Sequence, residues 1–152
     1  MRPKPNTILG ISPGTRSMGY AIMSDGELVD WGVKNFKGKW SKKREIKIFQ
    51  IFQRLVNDYQ VSGVAIKMSR FSERSRNLER IYLLIRTSTK KMGLRLFEFS
   101  IEEIKQNCEN VRNKQEMVQF LKSRFPELNR ELQRETQNNY FRQFESIAVA
   151  MV

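Results

Sequence analysis

The chain has 152 residues, 28 Lys and Arg against 16 Asp and Glu, a formal charge of +12, one cysteine and no histidine. One cysteine rules out an internal disulfide, the missing histidine rules out Cys/His zinc sites and Ser-His-Asp or Cys-His catalysis, and no apolar run approaches the ~18 residues of a membrane span. The N-terminal Met1-Arg2-Pro3-Lys4-Pro5-Asn6 lacks the apolar region of a signal peptide, so a reduced, cytoplasmic protein with a polyanionic partner, nucleic acid rather than membrane, is expected.

Thr7 to Ser12 reads as a buried strand, broken by Pro13-Gly14-Thr15. Gly19 to Ser24 is a second strand and Glu27 to Asn35 a third. Asp25-Gly26 between them signals a two-residue hairpin, because both positions of a primed turn need positive φ. The chain therefore opens with an antiparallel meander.

Phe36 to Lys47 is a basic run holding Lys37, Lys39, Lys42, Lys43, Arg44 and Lys47 against the single acid Glu45. Trp40 within it either stacks on a ligand or covers the sheet edge. Ser41 is an N-cap for a helix to about Tyr59, since Ile48, Phe49, Phe52, Leu55, Val56 and Tyr59 share one helical face. Gly63 to Met68 is a fourth strand whose apolar run lacks alternation, as in a strand covered on both faces.

Ser69 to Arg76 is a polar loop, followed by a helix to about Met92 with Gly93 as its C-cap. Leu94 to Phe99 is the fifth strand. Ser100-Ile101-Glu102-Glu103 has the pattern of a capping box for a short helix, and Asn113 caps another. Glu127 to Asn139 is polar, a loose helix at most, and Tyr140 to Met151 forms a last amphipathic helix. An antiparallel meander followed by two right-handed crossovers predicts one α/β domain over residues 1–152, a five-stranded mixed sheet with helices on both faces.

Ile8-Leu9-Gly10-Ile11-Ser12-Pro13-Gly14-Thr15, followed by Gly19-Tyr20, resembles the opening of the RuvC family of Holliday junction resolvases. The family pattern there is a hydrophobic strand, Gly-Ile-Asp-Pro-Gly-Thr/Ser, and then Gly-Tyr. Val29 to Lys34, Val64-Ala65-Ile66-Lys67, Phe71, Asn77, Lys105, Lys114 with Met117-Val118, and Glu145 to Ala150 resemble successive family elements in order. The resemblance spans nearly the whole chain and implies the ribonuclease H-like fold.

It also implies a site. Family members hold two Mg²⁺ ions with four acids, and the metals activate water against a phosphodiester. The matching positions here are Ser12, Lys67, Arg142 and Glu145, so one acid of four remains. Hard cations need anionic oxygen ligands. No resident metal or cofactor is therefore expected, and Mg²⁺ enters only if other acids rebuild the site. Lys67 and Arg142 are expected to pair with Glu145. The acids available as replacements are Asp25, Glu27, Asp30, Glu73 and Glu79; Asp25 and Glu27 belong to a hairpin turn at the far end from Ser12, Asp30 lies on the third strand and could be nearer, and Glu73, in the loop after Lys67, is the best stand-in.

In the family, basic loops around the acids grip the substrate. The residues here that suit this are Arg16, Lys67, Arg70, Phe71, Arg74, Arg76, Lys105 and Lys114. Phe71 has two readings, a base-stacking aromatic or a small core anchor. The segment between Lys105 and Lys114 is shorter than the family's and lacks its Gly-containing turn. The reading is a catalytically inactive binder of branched or structured DNA, a homodimer as the family is. The alternatives are an active metal-dependent endonuclease with a rearranged site and a protein-interaction module on the same fold. The Gly10 to Thr15 loop also resembles the first phosphate loop of actin-like ATPases, which need a second lobe that 152 residues cannot supply.

Overall fold

The computed structural model describes residues 6–70, 72, 74–130 and 145–152. Phe71, Glu73 and Arg142 lie outside the described residues, as does the segment 131–144.

The strands are β1 (Thr7–Ser12), β2 (Ser17–Ser24), β3 (Glu27–Asn35), β4 (Gly63–Met68) and β5 (Arg95–Ser100). They form one sheet in the order β3-β2-β1-β4-β5. β1 runs antiparallel to β2 and parallel to β4, and β2 runs antiparallel to β3. β5 runs parallel to β4. Hence β1, β3, β4 and β5 all end at the same edge of the sheet. β2 starts two residues before the expected Gly19, because Ser17 and Met18 pair with Asn35 and Lys34 at the end of β3. β5 is displaced by one residue, its last residue Ser100 pairing with Met68.

The helices expected after Ser41, Ser100 and Asn113 form where those caps predict, and α2 begins at Arg76, inside the expected loop. Ser41 accepts a hydrogen bond from Arg44 N and opens α1 (Lys42–Tyr59). Ser75 accepts from Leu78 N and opens α2 (Arg76–Lys91). Ser100 and Glu103 complete a capping box at α3 (Ile101–Asn107). Asn113 caps α4 (Lys114–Arg124), and a 3₁₀ turn at Pro126–Arg130 follows. Residues 145–151 form the last helix, α5. The Tyr140 to Phe144 part of the expected helix lies outside the described residues, as does most of the polar stretch before it.

Alternation along β1 and β4 divides the core between the two faces. Leu9, Ile11, Val64 and Ile66 pack with Ile48, Phe52, Ile81, Tyr82 and Ile85 of α1 and α2. Ala21, Met23 and Ala65 pack with Ile104, Met117, Leu121, Ile147 and Ala148 on the other face. Gly10 is what lets α5 lie close to the sheet. A Cβ there would stand 2.2 Å from the Ser146 carbonyl oxygen and 2.7 Å from the Ala150 Cβ. Only hydrogen fits in that space, so the sequence at position 10 sets how near α5 comes to β1.

Candidate functional site

The close approach at Gly10 brings Glu145, the first described residue of α5, beside the ends of β1 and β4. Ser12 is the last residue of β1, and Lys67 is the penultimate residue of β4. Both share the sheet face of Gly10 and Ala65, so both side chains meet Glu145. Ser12 Oγ donates to Glu145 Oε2 at 3.1 Å. Lys67 Nζ lies 2.6 Å from the same oxygen. Lys114 Nζ, from the first turn of α4, lies 3.0 Å from Oε1.

Glu145 is 3 % exposed. Burial on its own would push its carboxyl up, but the adjacent ammoniums of Lys67 and Lys114 outweigh it and hold the group below the ordinary carboxylate range. The two lysines differ in access to solvent. The Lys67 side chain is 15 % exposed and that of Lys114 is 49 %. Among the described residues, two ammoniums meet on this one carboxylate.

This donor set does not fit a pair of divalent cations. Such ions take anionic oxygens, and both oxygens of Glu145 already accept from cations or a hydroxyl. Among the described residues, no group of three or more Asp, Glu, Cys or His side chains could hold a metal. Asp30 does not supply a replacement. Strand alternation turns it to the α1 face, where Tyr59 donates to its Oδ2 at 2.6 Å. That hydrogen bond, with burial, pushes the Tyr59 hydroxyl up to about 12. Asp25 lies in the β2–β3 hairpin, at the end of β2 opposite Ser12. Glu73, the nearest candidate in sequence, is outside the described residues.

The basic residues expected to grip a substrate lie around the same edge of the sheet. Arg16 is exposed in the turn after β1. Arg70 is exposed in the loop after β4 and forms a two-pronged contact with Glu102 of α3. Arg74 serves that loop from within. Its Nε donates to the Ser69 carbonyl at 2.9 Å, it pairs with Glu79, and its guanidinium lies over the Tyr82 ring. Tyr82 in turn accepts from Ser69 N through its buried hydroxyl. Arg76 is exposed in the first turn of α2, and Lys105 is half-buried in α3. In open α/β sheets, the carboxyl ends of parallel strands are where ligands bind.

The contact of Lys114 with Glu145 is the feature that sequence reasoning missed, since it placed Lys114 among the outer gripping residues. The turn before α4 is tight, with Glu109 and Asn110 both left-handed at φ 57° and 58°. α4 and α5 share one core, which brings residues 31 positions apart into contact. The Asn113 cap was the available signal, because it fixes Lys114 as the first helical residue.

The chain matches the family described as Crossover junction endodeoxyribonuclease RuvC over residues 8–150. No curated protein matches it. Among solved structures it is similar to the Thermus thermophilus RuvC in complex with a Holliday junction substrate. The two share 14% identity at a TM-score of 0.75, covering 96% of this chain and 90% of that one. It is similar to a second Thermus thermophilus RuvC structure at 14% identity and a TM-score of 0.74, with 95% and 91% covered. A ROK family transcriptional regulator, described as a homolog of the E. coli MLC protein, shares part of the fold. There the identity is 14% and the TM-score 0.50, over 68% of this chain and 30% of that one. No helix among the described residues is long and apolar enough to cross a membrane.

Proposed function

This chain belongs to the RuvC family of crossover junction endodeoxyribonucleases, and we propose that within it the chain is a non-catalytic binder of branched or structured DNA. The observation that carries this reading is the filling of the site. Where the resemblance calls for four acids and two metals, Glu145 accepts from Lys67, Lys114 and Ser12. Ammoniums repel a divalent cation and cannot lower the pKa of a metal-bound water. They can attract a phosphodiester, which an acidic site does only after its metals arrive.

The binding surface in this reading is the sheet edge around Lys67 and Lys114, ringed by Arg16, Arg70, Arg76 and Lys105, with Arg74 holding the loop after β4. Neutralisation of phosphates by such residues gives binding that is sensitive to salt and largely indifferent to sequence. A homodimer belongs to the same reading, because a two-fold protein suits a pseudo-symmetric four-way junction.

The test is a gel shift with four-way junction, duplex and single-stranded DNA, in EDTA and in Mg²⁺ or Mn²⁺, with the products run on a denaturing gel. The expected result is binding in EDTA that weakens between low and moderate salt, with no cleavage in either metal. Metal-dependent cutting would replace this reading with an active endonuclease. A shift that stayed negative at low salt would replace it with a protein-interaction module.

A further inference from the structure

We propose that the loop between β3 and α1 is a second nucleic-acid contact, a platform for the phosphate backbone of a duplex arm leaving the Lys67–Lys114 site. The inference rests on the binding role proposed above and adds a surface that the site itself does not include.

Lys37, Lys39, Lys42 and Lys43 are all exposed in this loop and the first turn of α1. Among the described residues none of the four forms an ion pair. Glu45, the only acid of the run, is turned away and paired with Arg80 of α2 at 2.6 Å. Lys42 and Lys43 also sit at the end of an 18-residue helix where its dipole is positive. Folding gains nothing from cations there, so their placement opposes local stability. Such conflicts between local preference and sequence are expected at functional surfaces.

A buried arginine holds the platform in place. Arg44 is 7% exposed. Its Nη1 donates to the Thr15 carbonyl at 2.9 Å, and its Nη2 donates to the carbonyls of Lys37 and Gly38. The guanidinium also lies over the Trp40 ring, 5.9 Å from its centre. Gly38 has φ +84°, a left-handed conformation that aims its carbonyl at Arg44 without a side-chain clash. Phe36 N donates to the Arg16 carbonyl at 2.9 Å. The lysine loop is thus fastened to the turn that carries Arg16 and directly follows Ser12.

The topology aligns this loop with the site. β3 and β1 end at the same edge of the sheet, with β2 between them. Lys67, on β4, is three inter-strand steps from β3, about 14 Å, or about four base-pair rises along a duplex. An arm whose phosphates are held at Lys67 and Lys114 therefore reaches Lys37 to Lys43 without leaving the edge. Charge of one sign, a rigid mount and this spacing fit a phosphate backbone.

Fluorescence anisotropy with a four-way junction, from low to moderate salt, tests this on the full chain. Lys39→Ala/Lys42→Ala is compared with Lys90→Ala/Lys91→Ala, which removes the same charge from the far end of α2. The platform variant is expected to reduce the slope of log affinity against log salt by about two, and the control to leave it unchanged. The platform variant should keep its urea midpoint, because Lys42 opposes the helix dipole. If the wild-type chain binds no junction at low salt, the binding role and the platform both fall. If it binds and the two variants have equal slopes, the platform alone is wrong. Loss of binding to phosphatidylserine vesicles in the platform variant, with its DNA slope unchanged, would assign the loop to a membrane surface and also overturn the proposal.

Discussion

Lys67 Nζ stands 2.6 Å from Glu145 Oε2, joining the end of β4 to α5 where little solvent reaches. The pair has a further donor on each side, Ser12 on Oε2 and Lys114 on Oε1. Glu145→Gln removes the charge and keeps the shape, leaving two ammoniums facing each other. Folding and binding should then move in opposite directions. Urea denaturation is expected to show a loss of about 2–3 kcal/mol, because the mostly buried Lys67 loses its counter-charge. Anisotropy at low salt is expected to show tighter binding to junction DNA, because the site gains a positive charge. Weaker binding in the variant would mean that Glu145 does not restrain the lysines toward phosphate.

The same pair sets an acid limit on stability. Burial opposes ionisation of Glu145, but Lys67 and Lys114 prevail, so its folded pKa lies below the unfolded value of about 4.3. A depressed carboxylate contributes stability that is fully present above the unfolded pKa and is lost as pH falls through the folded one. The difference in urea midpoint between the wild type and Glu145→Gln should therefore be constant from pH 7 down to about pH 5 and shrink below about pH 4. A difference that persisted undiminished at pH 3 would contradict this assignment.

Gly10 is the packing counterpart of that electrostatic contact. In Gly10→Ala the new methyl meets the Ser146 carbonyl oxygen and the Ala150 Cβ, neither of which is the free end of a flexible side chain. α5 must move outward and carry Glu145 with it. The expected cost is about 1–3 kcal/mol in urea, together with a smaller acid-dependent component, since Glu145 retreats from Lys67. A variant as stable as the wild type would show that the helix can shift without cost.

Most of this arrangement could be read from the chain, for identifiable reasons. Ser41, Ser100 and Asn113 each announced a helix start, because an N-cap is a local hydrogen bond between residues three apart; the equivalent cap at Ser75 was left inside a loop. The Asp25-Gly26 turn fixed the register of β2 and β3 by the same kind of local rule. The proximity of Ser12, Lys67 and Glu145 was legible only because their surroundings resemble a family whose acids converge; no periodicity links residues 133 positions apart. Lys114 was read onto the rim, since nothing near it in sequence shows that α4 and α5 share a core. Asp30 shows how alternation decides such a case. It lay on a promising strand, yet alternation gave it to Tyr59 on the other face.

Restoring acids should restore a metal site, and the conversion can be followed without any activity. Ser12→Asp/Lys67→Glu would place two new carboxylates beside Glu145, three carboxylates where the described residues of the natural chain supply one. Without metal the three anions repel, partly offset by Lys114, so the variant should melt below the wild type. Added Mn²⁺ should then raise its melting temperature, because a ligand that binds only the folded state stabilises it by about 2.7 kcal/mol at a hundredfold excess over Kd. For a chain of this size that is roughly 5–10 °C. The wild-type chain should show no such rise, since Lys67 and Lys114 already pair with Glu145, the one carboxylate at the site among the described residues. An equal rise in both proteins would place the metal elsewhere, and a rise in the wild type alone would refute the argument that two ammoniums exclude it.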